Sequence, residues 1–192
     1  MTGVLILGAS RSGTSMTAGL FAQHGVVFGD CVGGSRINPK GFFENRWWKR
    51  VEHGHERPAD FDAAWKAALR EQGWDGRRPW GAKVGARWHA DYWAHVPDIA
   101  VIVQCYRPLA QIEASRADAG FNSKRQPIPR AWQIMDELRA ADGRCVQVWT
   151  DRVVAGEVDA LQPAFRALGL ELDDDIARRW VDPSLWRHGD AA

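Results

Sequence analysis

Four stretches of the chain carry residue types, at spacings, that suit binding an oxyanion or moving a proton. The first is Gly8-Ala9-Ser10-Arg11-Ser12-Gly13-Thr14-Ser15, directly after the apolar run Val4-Leu5-Ile6-Leu7. A short apolar run closed by glycine reads as a buried parallel strand, and Thr14 onward reads as a helix. Backbone N–H groups in such a turn face inward, and the helix start adds its positive dipole end, so the turn is suited to a phosphate. Gly8 and Gly13 are expected to let the backbone approach where a Cβ would collide. The second is Tyr106-Arg107-Pro108 with Ser115 eight residues beyond the arginine. A guanidinium at a strand end and a hydroxyl two helical turns on would clamp a second phosphate. The third, Asn38-Pro39-Lys40-Gly41-Phe42-Phe43-Glu44-Asn45, offers a carboxylate beside two aromatic rings, whose shielding from water is expected to raise its pKa toward that of a general base. The fourth, Trp80-Gly81-Ala82-Lys83, ends a predicted strand on a lysine.

Each stretch also has a plainer account. The first is a tight strand-to-helix turn, and Arg107 a strand-end cation beside a helix-surface Ser115. Glu44 is an acid favoured by a helix dipole, and Lys83 a solvated strand-end cation. The first turn has the spacing of the P-loop, G-x-x-x-x-G-K-[ST], with Thr14 in the place of the lysine. That lysine normally reaches the β- and γ-phosphates, so its absence argues against ordinary ATP or GTP chemistry. Arg11 supplies a cation within the loop instead.

Taken together these stretches resemble the sulfotransferase family in its bacterial form. Ser10-Arg11-Ser12-Gly13-Thr14-Ser15 resembles the family's 5′-phosphosulfate loop. Arg107 and Ser115 resemble its 3′-phosphate pair, and Asn38 to Glu44 its N-P-x-G-[YF]-[FY]-E segment. The resemblance implies a three-layer P-loop-type α/β fold and use of 3′-phosphoadenosine 5′-phosphosulfate (PAPS), with the bisphosphate PAP as product and no metal. On that basis Ser12, Gly13, Thr14 and Ser15 hold the 5′-phosphate, and Arg107 and Ser115 the 3′-phosphate. Arg11 and Lys83 neutralise the leaving oxygen, Glu44 takes the acceptor's proton, and Trp48 or Trp47 stacks on the adenine. The acceptor would be a small molecule or a glycan, held by loops 29–41 and 118–130. Two departures stand out. Lys83-Val84-Gly85-Ala86-Arg87 lacks the histidine and proline of K-x-H-x-P, and the C-terminal R-K-G element has no counterpart.

The elements that must position these residues follow from periodicity. Strands are expected at Val4–Leu7, Trp80–Val84, Ile99–Val103 and Cys145–Trp149, with a short extended piece at Val26–Phe28. Helices are expected after Thr14, around Trp47 to Val51, over Phe61–Leu69, and through Trp88, Tyr92 and Trp93. Further helices begin at Pro108 as N1, span Trp132–Ala140 and Val158–Leu168, and start at Asp173. Strands alternating with helices mean a central parallel sheet flanked by helices, in one domain spanning 1–192.

Composition fits that class. Among 192 residues, 45% hydrophobic and 26% charged content is ordinary for a globular chain, and a net charge of +1 gives no global pull toward nucleic acid or membrane. Three cysteines without framework spacing point to a reducing, cytoplasmic setting. His53 and His55 lack zinc-site spacing. Two rival functions follow from the same residues. One is a P-loop small-molecule or nucleoside kinase, with Asp151 at the end of Val146–Trp149 as a magnesium ligand. The other is a PAP-binding module without turnover.

Overall fold

A computed structural model describes residues 2–120 and 127–186; the Phe121–Gln126 part of the predicted acceptor loop 118–130 lies outside them. Four parallel strands form the sheet: β1 (Gly3–Gly8), β2 (Trp80–Gly85), β3 (Ile99–Tyr106) and β4 (Cys145–Trp149), in the order β2-β1-β3-β4. β1 is apolar throughout and fully buried, as a central parallel strand covered on both faces must be. Its alternate residues enter different cores. Val4 and Ile6 join Val101, Val103 and Val148 beneath helices α1 (Thr14–Gln23), α7 (Gln162–Ala167) and α8 (Asp174–Trp180). Leu5 and Leu7 join Val84, Ile102 and Tyr106 against α2 (Arg46–Glu52), α3 (Phe61–Glu71) and α5 (Ile128–Ala141). The result is an α/β fold with helices on both faces of an all-parallel sheet.

The second core is aromatic. Trp65, Trp80 and Trp93 are wholly buried, and Trp48 packs edge-to-face with Phe61, Trp88, Tyr92 and Trp93 at 5.4–6.2 Å between ring centroids. Such pairs add about 0.5–1.5 kcal/mol each beyond buried area. They make a stiff floor under α2.

Several predicted elements differ. Val26–Phe28 makes a single bridge, Val27 to Trp80, and adds no strand. The helix expected through Trp88, Tyr92 and Trp93 is two 3₁₀ turns, Ala86–Trp88 and Trp93–His95, because these rings gather around Trp48 rather than along one stripe. Pro108 caps α4 (Leu109–Asp118) with φ −48° and ψ 133° rather than entering it as N1. The long helix expected over Val158–Leu168 divides into a 3₁₀ turn, Val158–Leu161, and α7, with Pro163 in the first turn of the second piece. Thr150 and Asp151 open a short helix, α6 (Thr150–Val154), directly after β4.

The connections out of β1 and β3 leave in opposite directions across the sheet. Open α/β sheets place their ligand crevice at the carboxyl ends of such neighbours. A cleft lies there.

Candidate functional site

The cleft is about 330 Å³ and is lined from the carboxyl ends of β1, β2 and β3 by Gly8–Arg11, Gly13–Met16, Lys83–Gly85 and Arg107, with Glu44, Lys49 and Glu52 on its other wall. The loop between β1 and α1 folds back on itself. Ser12 N–H donates to Ala9 C=O at 3.1 Å, which closes a turn and leaves Arg11 at φ 74° and Gly13 at φ 86°. A left-handed arginine costs about 1 kcal/mol or more, so surrounding bonds must hold it. Among the described residues, no acceptor pairs with the N–H groups of Gly13, Thr14, Ser15 and Met16. All four residues line the cleft.

Ser12 does not belong to that set. It is fully buried and absent from the cleft wall, its N–H is used by Ala9, and its Oγ has no hydrogen-bond partner among the described residues. The Ser12 N–H expected to face an anion is thus spent on Ala9 C=O, while Met16, further along, lines the cleft. The glycines also act differently from expectation. A Cβ on Gly8 would lie 2.4 Å from Ser12 Oγ, and one on Gly13 would lie 2.7 Å from Thr150 Cβ and Oγ1. They allow the loop to pack closely against its own protein.

Arg11, Arg107 and Ser115 converge. Arg11 Nε donates to Ser115 Oγ at 3.0 Å. Arg107 Nη1 donates to Arg11 C=O at 3.2 Å, and its Nε to Gln111 Oε1 at 3.0 Å. Arg107 is nearly buried, and its pKa is pushed down to about 10, first by burial and then by the like charge of Arg11. It stays protonated at neutral pH. The ring of Trp186 covers it, with its centroid 3.9 Å from the guanidinium carbon. Arg11 thus stands with the Arg107–Ser115 pair rather than beside Lys83.

The opposite wall is an ion-pair chain. Lys83 Nζ, on β2 beside Ile6 of β1, donates to Ser15 Oγ at 3.2 Å and to Glu44 Oε1 at 3.0 Å. Lys49 Nζ lies 3.5 Å from Glu44 Oε2 and 2.6 Å from Glu52 Oε2, and Trp88 Nε1 donates to Glu52 Oε1 at 3.0 Å. Burial alone would raise the Glu44 pKa, but Lys83 and then Lys49 outweigh it and hold the carboxyl below the ordinary glutamate range. That reverses the expectation of a base raised by aromatic shielding. Glu44 also precedes the helix: Asn45 is the N-cap of α2 and accepts from Trp47 N–H at 2.9 Å, so the helix-start account of Glu44 does not apply. Phe43, at φ 54°, turns the chain just before it and is packed edge-on by Phe28 and Trp180 at 5.9 Å.

Trp48 and Trp47 do not present a face to a base. Trp48 reaches the cleft wall but is 2% exposed and boxed by four rings, and Trp47 is buried against Phe61 and Trp65. Half-buried rings at the cleft are instead those of Phe42, Trp180 and Trp186. Trp186, Thr150 and Arg116 carry no local signal of their place in the site. Lys49 and Glu52 do, as an i,i+3 pair on one helix face.

Asp151, the expected magnesium ligand of the kinase alternative, follows β4 at the sheet edge and does not line the cleft. No helix among the described residues is long and apolar enough to cross a membrane. Neither a protein-family model nor a curated protein sequence matches the chain.

Proposed function

We propose that the protein is a sulfotransferase of P-loop type, acting in the cytoplasm, that moves a sulfuryl group from PAPS to a hydroxyl or amine of a small-molecule or glycan acceptor. One observation carries it: four amides at the start of α1, with no acceptor among the described residues, share a cleft with the Arg11–Arg107–Ser115 cluster, in a loop that lacks the P-loop lysine. Two anion subsites on one wall suit a bisphosphate better than a triphosphate. The amides of Gly13 to Met16, with the Thr14 and Ser15 hydroxyls, hold the 5′-phosphate. Arg107, Arg11 and Ser115 hold the 3′-phosphate.

PAPS supplies the sulfuryl group. In transfer to a hydroxyl, the bond from sulfur to the phosphate oxygen breaks, a bond from sulfur to the acceptor oxygen forms, and the hydroxyl proton leaves. Lys83, bonded to Ser15 of the phosphate loop, stabilises charge growing on the departing phosphate oxygen, an effect worth a few kcal/mol in a water-poor site. Glu44, ionised at neutral pH, accepts the proton, which becomes acidic as the acceptor oxygen bonds sulfur. An ion-paired carboxylate is a weak base, so this proton transfer comes late.

Calorimetry with PAP and with ATP, each with and without Mg²⁺, tests the proposal. PAP is expected to bind without Mg²⁺ and more tightly than ATP. Mg²⁺-dependent ATP binding without PAP binding would replace the proposal with the kinase. PAP binding with neither PAPS hydrolysis nor transfer to any acceptor would reduce the protein to a binding module.

A further inference from the structure

Three consecutive carbonyls of the phosphate loop are each held from outside by a side chain of a different element. Ser10 C=O accepts from Arg116 Nε of α4 at 3.1 Å, Arg11 C=O from Arg107 Nη1 at 3.2 Å, and Ser12 C=O from Thr150 Oγ1 at 2.8 Å. The Thr150 hydroxyl also lies 2.9 Å from Tyr106 C=O, at the end of β3, so its one proton is shared between two carbonyls. Thr150 is fully buried, and its side chain occupies the space a Cβ on Gly13 would need.

A trans peptide is planar, with its N–H opposite its C=O. Drawing Ser12 C=O down onto Thr150 therefore turns Gly13 N–H the other way, toward the cleft that Gly13 lines. Left untethered, that peptide has a glycine on its C-terminal side and is free to rotate. Through Tyr106 C=O the same hydroxyl touches the residue preceding Arg107, so one group spans the loop and the strand end that carries the second anion subsite.

We infer that Thr150 is a positioning residue for the phosphate loop: its hydroxyl fixes the Ser12–Gly13 peptide so that the Gly13 amide serves the bound phosphate, in register with Arg107. Arg116 does the same for the Ser10 carbonyl. This rests on the loop being a phosphate cradle, as proposed above, and it adds that the cradle's orientation is set by a residue that never touches the ligand.

Thr150→Val keeps the shape and removes the proton, and Thr150→Ser keeps the proton. Calorimetry of adenosine 5′-phosphate, adenosine 3′-phosphate and PAP on the full chain separates the possibilities. Thr150→Val is expected to lose about tenfold in affinity for the 5′-phosphate and PAP and less than about twofold for the 3′-phosphate. Thr150→Ser should stay within about twofold of wild type for all three. A merely structural hydroxyl would weaken both monophosphates alike and show it in the melting temperature. Should Thr150→Val not fold, Thr150→Ala takes its place with the same expected split. Unchanged 5′-phosphate affinity in the Val or Ala variant overturns the positioning role while leaving the cradle intact. A wild type that binds none of the three ligands removes the cradle itself.

Discussion

The two walls of the cleft hold their cations in opposite ways. On the loop side, the partners of Arg11 and Arg107 include neutral oxygens: the Ser115 hydroxyl, the Gln111 amide and the Arg11 carbonyl. On the other side, Lys83 and Lys49 are bonded to the carboxylates Glu44 and Glu52. Neutral dipoles orient a guanidinium without cancelling its charge, and at Arg107 the like charge of Arg11 acts more strongly than the opposite charge of Asp151. Carboxylates cancel a cation's charge, so the second wall is close to neutral and holds a carboxylate that remains ionised. Under the proposed function the contrast divides the work: one wall would bind, and the other would handle a proton.

Crossed substitutions put that division at risk. Glu44→Gln should lower sulfuryl transfer by about a hundredfold or more, the usual loss for a general base, and leave PAP affinity unchanged or slightly raised, since Lys83 loses its counter-charge. Arg107→Ala should weaken PAP by about a hundredfold, because charge-assisted bonds to a phosphate are lost together. Arg107→Lys should recover little of it, as an ammonium cannot bond Gln111 and Arg11 C=O in one plane. Steady-state kinetics and calorimetry on the three variants decide. If Glu44→Gln loses PAP binding as severely as Arg107→Ala, the walls are not distinct.

Gly13→Ala sharpens the first wall alone. The left-handed φ of 86° and the 2.7 Å approach to Thr150 both oppose a methyl group. The combined strain is about 1–3 kcal/mol. A lower melting temperature together with roughly tenfold weaker PAP binding is expected. A variant that melts and binds like wild type would mean the loop has room the structure denies it.

How much of this was legible in the chain differs between the walls as well. The loop side is written locally. The run Val4 to Leu7, the glycine at 8 and the proline at 108 mark the strand, the turn and the start of α4 by rules of short range. What local pattern does not contain is that Arg11 meets Ser115 across 104 residues, or that Thr150 reaches Ser12 across 138. Those contacts exist only because β3 and β4 lie beyond β1 in the sheet. Ser12 shows a related limit of local reading: a turn must spend some of its amides on itself, and the Ser12 N–H goes to Ala9 C=O. On the other wall, the motif marks Glu44 but not the charges around it. Two phenylalanines adjacent in sequence suggested an apolar shield, whereas folding brings Lys83 from another strand and Lys49 from the next helix. The aromatic spacing at 88, 92 and 93 imitated a helix for the same cause, since rings that surround one tryptophan need no common stripe.

Trp186→Ala probes the mouth of the first wall. Its ring lies 3.9 Å from the Arg107 guanidinium and lines the cleft. A cation–π contact of this kind contributes about 0.5–1 kcal/mol at a half-exposed site. PAP binding should fall about three- to fivefold, and Trp186→Phe should restore most of it. Equal losses in the Ala and Phe variants would show that the ring's stacking is not what matters.

The smallest effect lies in acid. Glu44 titrates below the ordinary glutamate value of 4.5 because Lys83 and Lys49 overcome its burial. A carboxyl whose folded pKa is depressed contributes stability that is present above the unfolded pKa and lost as pH falls through the folded one. Wild type should therefore lose stability as pH drops from about 4.5, while Glu44→Gln, with nothing to protonate there, should show a shallower decline. Glu44 is about a third exposed and screened by solvent, so the difference at neutral pH should not exceed about 1 kcal/mol. Denaturant midpoints for both proteins from pH 3 to 7 measure it. Parallel acid limbs would mean that Glu44 is not held by its lysines, and the near-neutral second wall would lose its basis.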